Sequence, residues 1–299
     1  MVILFISHVN PILHAAGNEV RILKMINWLR AENAYVVLLL NLPPIAIEVR
    51  KKILEIVDAV HTPDECSVSF PRKVKNALDR LISPLPPPVT EAEKVRAYLG
   101  RPYLTQAVGV LAKRYKPQVV IAEYAFATPC YRDLPSGVLK LVDTHDLLSN
   151  RDPKESIYCS PEEERAFLLN ADAVIAIQES EAEKFRSLVP ERKVVTVGID
   201  YEVVTHCNVQ DECRNTVLVV GSNYPANIAG LRAFCEHAWP LVCKENPQAE
   251  LLVAGKIGGA MINNVPQARV LGWVDDLQAL YRHSSVVINP TLTGTGLKI

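Results

Sequence analysis

A histidine between carboxylates, Asp143-Thr144-His145-Asp146, follows the apolar run Val138-Leu139-Lys140-Leu141-Val142. Such a histidine has one partner to fix its tautomer and another to face a substrate, as acid–base or hydrogen-bonding chemistry requires. A histidine hydrogen-bonded to a neighbouring carboxylate in an ordinary loop gives the same pattern, so the residues alone leave both readings open. The second stretch with chemical character is Gly294-Thr295-Gly296-Leu297-Lys298, which follows Val286-Val287-Ile288 and Asn289-Pro290. A buried strand running into a glycine-rich loop offers backbone N–H groups to a phosphate at the start of a helix. Ile299 falls where that helix should begin, so the sequence is expected to be a C-terminally truncated chain whose loop lacks the helix dipole.

Both stretches must be positioned by a parallel α/β sheet. Residues 2 to 6 are continuously apolar, as in a strand buried on both faces. Val20, Leu23, Ile26 and Leu29 then recur at helical spacing with Arg21, Lys24 and Arg30 between them, and Ala34 to Leu40 is the next strand. This βαβ opening predicts a doubly wound sheet, in which ligand groups gather at strand carboxyl ends. Glu123-Tyr124 after the strand 119–122 and Asp143 to Asp146 after the strand 138–142 both sit at such ends. Gly17, before the first helix, could bring backbone close to a ligand or could serve only a tight turn. It does not complete the three-glycine dinucleotide fingerprint, so a nicotinamide cofactor is not expected there.

After the strand 193–197, Tyr201 to Asn215 has no clear period, and the pattern restarts with the strand 216–220, the loop Gly221-Ser222-Asn223-Tyr224-Pro225-Ala226 and a helix from Asn227 to Glu245. Further strands are expected at 249–254, 269–272 and 286–288. The reading is therefore two Rossmann-like lobes of parallel sheet facing a cleft, 1–205 and 206–299, the second incomplete.

Composition narrows the partners. With 49% hydrophobic residues, a formal charge of -1 and a sequence pI near 6.7, the chain is an ordinary globular protein without the basic excess of a nucleic-acid binder. Seven scattered cysteines without a CxxC pair read as reduced thiols, which points to the cytoplasm. No apolar run approaches the roughly 20 residues needed to span a bilayer. Around residues 70–85, Phe70, Val74, Leu78, Leu81 and Ile82 alternate with Arg72, Lys73, Lys75 and Arg80. That face suits either peripheral contact with the inner surface of a membrane or an ordinary helix with solvated cations packing on the sheet.

The chain resembles the group 1 (family 4) retaining glycosyltransferases of the GT-B architecture. The residues that carry the resemblance are Phe5-Ile6-Ser7-His8 with Gly17-Asn18-Glu19-Val20-Arg21; Val142 to Asp146; Ala171 to Gln178; Val220-Gly221-Ser222-Asn223 through Gly230; Pro247 through Gly255; Gly272-Trp273-Val274-Asp275-Asp276-Leu277; and Gly294 to Lys298. The resemblance implies metal-independent transfer of a sugar, with retention, from a nucleotide-diphosphate-sugar donor to a glycan or lipid-linked acceptor, without a cofactor and as part of polysaccharide biosynthesis. It implies that His145 lies near the reacting sugar with Asp146 orienting it. It also implies that Gly17, Ser222, Asn223, Lys256, Thr295, Gly296, Leu297 and Lys298 serve the donor. Two departures stand out: Ser222 to Gly230 holds no basic residue where many members carry an Arg and a Lys, and the donor-ribose glutamate would lie beyond Ile299. They motivate an alternative, a non-catalytic nucleotide-sugar-binding or interaction protein on a degenerate GT-B fold.

Overall fold

The structure is a computed structural model and describes residues 1–13, 16–66, 102–151, 153, 157–200, 215–258 and 265–292. The membrane-contact candidate 70–85, the linker 201–214 and the glycine loop with Thr295, Gly296, Leu297 and Lys298 lie outside the described residues. The chain divides into two compact units, Met1–Asp200 and Tyr201–Gly294.

The first unit is built on a seven-stranded sheet in the order β3-β2-β1-β4-β5-β6-β7. Its strands are β1 (Val2–Ser7), β2 (Tyr35–Leu40), β3 (Ala59–His61), β4 (Val119–Glu123), β5 (Leu139–Thr144), β6 (Ala173–Ala176) and β7 (Lys193–Thr196), and every neighbouring pair is parallel. The central strands are sealed on both faces: Ile3 to Ile6, Val36 to Leu40 and Val120 to Ala122 are buried, which explains their unbroken apolar runs. One core cluster gathers Leu4, Ile6, Val120 and Ala122 with Leu104, Val108 and Leu111; the opposite cluster gathers Ile3, Phe5 and Ile121 with Ile22, Ile26 and Leu29. Alternate side chains of one strand thus feed different helical layers.

Helix α1 (Gly17–Ala31) buries Ile22, Ile26 and Leu29, while the expected Val20 and Leu23 are only half-buried. The stripe is rotated because Arg21, expected among the solvated residues, is itself buried. Helix α2 (Ile47–Ile56) precedes β3, a strand that the sequence reading did not anticipate, since only Val60 is buried in so short a segment. Among the described residues no helix is long and apolar enough to cross a membrane. Cys66, Cys130, Cys159, Cys235 and Cys243 are free thiols.

The second unit is a four-stranded parallel sheet, β10-β9-β8-β11, formed by β8 (Thr216–Val220), β9 (Glu250–Ala254), β10 (Ala268–Gly272) and β11 (Val286–Val287). The expected single helix from Asn227 to Glu245 is divided into Pro225–Ala233, a π-turn at Phe234–Ala238 and Trp239–Glu245. Pro240 has no N–H to close the ladder and its ring crowds the preceding turn, a common origin of such interruptions. Trp239 is fully buried beside the break, and its indole N–H donates to the Pro266 carbonyl at 2.7 Å.

Candidate active site

In a 3-2-1-4 strand order the direction of winding reverses between β1 and β4, and a crevice forms outside their carboxyl ends. His8 follows β1, Glu123 ends β4, and Thr144 ends β5 with His145 directly after it. These strand ends therefore bring together, from three separate stretches of sequence, the polar groups of the first unit.

At their centre is a buried charge network. Asp143, expected just after the strand 138–142, lies within β5 and is inaccessible to solvent. Arg21 from α1 grips it side-on, Nε donating to Oδ2 at 2.7 Å and Nη2 to Oδ1 at 2.5 Å. The remaining Arg21 amine, Nη1, donates to the carbonyls of Val197 at 2.9 Å and Gly198 at 3.1 Å, which satisfies the guanidinium in an otherwise dry setting. Burial acts to lower the Arg21 pKa, but the hydrogen bond and charge of Asp143 outweigh it and hold the cation.

The hydrogen-bond partner of His145 is Glu123, which meets Nε2 through Oε2. The Asp143 carboxylate stands 3.8 Å from the same nitrogen. Glu123 is fully buried, and its Oε1 has no partner among the described residues. Burial first, and the Asp143 charge second, push the Glu123 carboxyl up to about 7. For His145, burial acts to lower the pKa, yet the charge and hydrogen bond of Glu123, helped by Asp143, leave it above its ordinary value. Asp146, the orienting residue expected from the resemblance, is instead ion-paired with Arg151. Glu123 stands there because β4 and β5 are hydrogen-bonded neighbours, Glu123 opposite Asp143, which sets the β4 terminus beside the imidazole.

Glu123, Asp143 and His145 hold ligating atoms within 4.8 Å of one another. Arg21 donates to both Asp143 oxygens, so the guanidinium brings a positive charge to this cluster.

Aromatic rings fix the imidazole from the side. Tyr124 stacks on His145, centroids 4.4 Å apart and planes 7° from parallel, and on Phe126 at 5.2 Å. Tyr124 does this from φ 67°, ψ 145°, a backbone region that a bulky residue occupies at a cost of order 1–3 kcal/mol. Strain of that kind persists where the surroundings over-determine a position, and here they do: the Tyr124 hydroxyl accepts from Asn18 at 3.3 Å, and its N–H donates to the Asp143 carbonyl at 2.8 Å. His8 meets Tyr124 edge-on at 4.9 Å and Phe126 at 5.2 Å. Burial, then the neighbouring His145 charge, lowers the His8 pKa to about 4, so it is neutral at pH 7. The hollow beside it, lined by Ser7, His8, Asn41, Leu104 and Phe126, has a volume of about 10 Å³. That is room for about one water molecule.

The loop after His145 is pinned from below. Ser160 caps the helix Pro161–Leu168, its Oγ accepting from Glu163 N at 3.2 Å, and Pro161 at the first position suits the helical φ. That helix delivers the buried Glu164, which accepts from Leu148 N at 2.8 Å and Ser149 N at 2.9 Å. Gly17 is the first residue of α1, with Ala16 as the extended cap before it.

In the second unit the reversal falls between β8 and β11. Ser222 and Asn223 follow β8 and are exposed. Asn227 Nδ2 donates to the Ser222 carbonyl at 3.3 Å and to its hydroxyl at 3.2 Å, while Thr291, after β11, donates to Asn227 Oδ1 at 3.2 Å. Asn227 therefore ties together the two loops at the strand ends. The approach is close enough to require glycine: a Cβ on Gly230 would lie 2.3 Å from the Pro290 carbonyl oxygen, and one on Gly255, at φ 87°, 2.2 Å from that of Gly221. Lys256 is exposed on the turn after β9. The sequence reading singled out neither Asn227 nor Glu164; Asn227 was detectable as a polar side chain in the first turn of the helix after a glycine loop.

Residues 214–299 match a family model described as glycosyl transferases group 1. An uncharacterized 44.6 kDa protein in the cps region of Klebsiella pneumoniae is 30% identical over 95 residues, 28% of this chain and 24% of that protein. The match thus spans about a quarter of that relative's length. Among solved structures, sucrose-phosphate synthase from Thermosynechococcus elongatus is similar over 100% of this chain and 77% of its own, with 15% identity and a TM-score of 0.68. A mutant of S. aureus TarM in complex with fondaparinux, α-GlcNAc-glycerol and UDP is similar over 96% of this chain and 80% of its own, with 9% identity and a TM-score of 0.64. The chain thus has the GT-B fold, and its residues 214–299 are similar to the group 1 glycosyl transferases.

Proposed function

We propose that the protein is a family 4 glycosyltransferase that moves a hexose, with retention and without a metal, from a nucleotide-diphosphate-sugar to a glycan or lipid-linked acceptor in polysaccharide biosynthesis. The observation that carries this reading is the group 1 match over residues 214–299, in a chain whose other unit anchors a histidine at the carboxyl edge of its sheet. In the reaction the bond from the anomeric carbon to the leaving phosphate oxygen breaks, a bond to an acceptor hydroxyl oxygen forms, and the hydroxyl proton departs with the nucleotide diphosphate. His145 hydrogen-bonds the sugar or the acceptor through Nδ1, because Nε2 is committed to Glu123. In this reading Ser222, Asn223 and Gly17 are donor-binding residues. Lys256 and Lys298, with the glycine loop Thr295-Gly296-Leu297, meet the charge on the diphosphate. The location that fits is the cytoplasm, with residues 70–85 as the segment for contact with the inner face of a membrane.

The test is a panel of UDP-, GDP- and ADP-sugars offered to the full-length protein with candidate acceptors, with NMR of the product's anomeric configuration. A product whose anomeric centre matches the donor supports the reading, and an inverted product removes retention. The absence of a basic residue in Ser222 to Gly230 favours a second reading, a nucleotide-sugar-binding protein without turnover. Tight donor binding with no product from any acceptor selects it.

A further inference from the structure

We propose that Glu123 is a positioning residue that makes His145 Nδ1 a hydrogen-bond donor toward substrate oxygen. This rests on His145 serving the sugar, as in the preceding section, but its geometry stands on the unliganded protein. The Glu123 carboxyl meets Nε2 with one oxygen and leaves the other, Oε1, buried and without a partner among the described residues. The pair can hold two protons, one or none beyond the N–H that a neutral imidazole always carries. With both, the acid is neutral and the imidazolium carries hydrogens on both nitrogens. With one, either the carboxylate accepts from an imidazolium or the neutral acid donates to Nε2. In each of those two forms Nδ1 carries a hydrogen. Only when the last shared proton leaves does the carboxylate hold a neutral ring by Nε2–H, and Nδ1 then becomes an acceptor. Whether the other nitrogen, Nδ1, is a donor or an acceptor is thus set by a proton held in the protein interior.

The surroundings favour retaining that proton. Asp143 from β5 lies 3.8 Å from Nε2 and adds negative charge, partly offset by Arg21 from α1. Tyr124 at the β4 end stacks on the ring, and His8 after β1 contributes no charge near neutrality. On the loop after β5, Asp146 and Arg151 are paired with each other. Burial and the two carboxylates place the Glu123 proton near neutral pH and hold the His145 proton above its usual range.

The test uses full-length protein labelled with 15N-histidine, with neither donor nor acceptor, titrated from about pH 6 to 9 and assigned with a His145→Gln spectrum. The expected result is a protonated Nδ1 at pH 7 that loses its hydrogen on the alkaline side. Glu123→Gln, which removes the charge but keeps the shape, should move that loss down by about one pH unit or more. The alkaline limb of kcat/KM should move down with it. An Nδ1 without hydrogen at pH 7 in the wild type overturns the proposal, as does a Glu123→Gln titration that coincides with wild type. Because the wild-type spectrum alone can decide, a poorly folding variant leaves the test intact. Failure of sugar transfer with Nδ1–H present would reject the proposed function and leave only the control of Nδ1 protonation by Glu123 standing.

Discussion

Arg21 and Asp143, 122 positions apart in the chain, form a side-on ion pair in which both side chains are almost wholly shielded from water. The pair joins α1 to β5 and sets the charge on which the Glu123–His145 contact depends. Removing one partner leaves the other buried without compensation, which costs about 3–5 kcal/mol, whereas replacing both with apolar groups can be far milder. Arg21→Met is therefore expected to lose about that much in urea unfolding, and Arg21→Met with Asp143→Leu to recover a good part of it. A single-variant loss below about 1 kcal/mol would contradict this account of the network.

His8 contributes stability in a pH window that can be worked out. Its folded pKa, about 4, lies below the ordinary 6.5, so folding is favoured by the neutral ring above pH 6.5 and loses that contribution as pH falls toward 4. The gap is worth at most about 3–4 kcal/mol. Since Nδ1 has no partner among the described residues, His8→Phe should keep the edge-on packing on Tyr124 and match wild type near pH 7.5. At about pH 5 the variant should be the more stable of the two in a denaturant titration. Parallel stability curves from about pH 7.5 to 4.5 would contradict the assignment.

Much of this architecture was legible in the sequence, for a physical reason. Parallel strands sealed on both faces must be continuously apolar, so 2–6, 34–40 and 119–122 announced themselves, and the restart at Thr216 announced a second unit. The candidate site was half legible. His145 stood out as a histidine at a strand end, but its partner is a neighbour across the sheet rather than along the chain, and no local pattern reports that. Asp143 read as lying just past its strand because a carboxylate inside a buried strand is costly, and Arg21, itself disguised as a surface cation on α1, makes it tolerable. β3 escaped notice because three residues carry too little periodicity, and the π-turn because a proline marks a break without naming its form.

Glu164 holds the loop after His145 through two backbone N–H donors. Hydrogen bonds to a charged acceptor contribute about 1.5–3 kcal/mol each, so Glu164→Ala should release the segment 148–150 before the rest of the unit. Amide exchange at Leu148 and Ser149 should accelerate at least about tenfold, with the β4 amides unchanged. Equal acceleration throughout would indicate global destabilisation instead.

Gly230 offers a control in the second unit. A methyl group there would meet the Pro290 carbonyl at 2.3 Å, which backbone movement must relieve. Gly230→Ala is expected to cost about 1–3 kcal/mol and to shift the loop after β11, read as a lowered Tm. An unchanged Tm would mean that the two loops approach less closely than described.

The role proposed for His145 in sugar transfer is measured directly by the rate of nucleotide release with a competent donor and acceptor. His145→Ala should reduce kcat/KM by about 10²-fold or more while donor affinity changes little. Nucleotide release by His145→Ala at the wild-type rate, in a variant that retains the wild-type melting temperature, would contradict it.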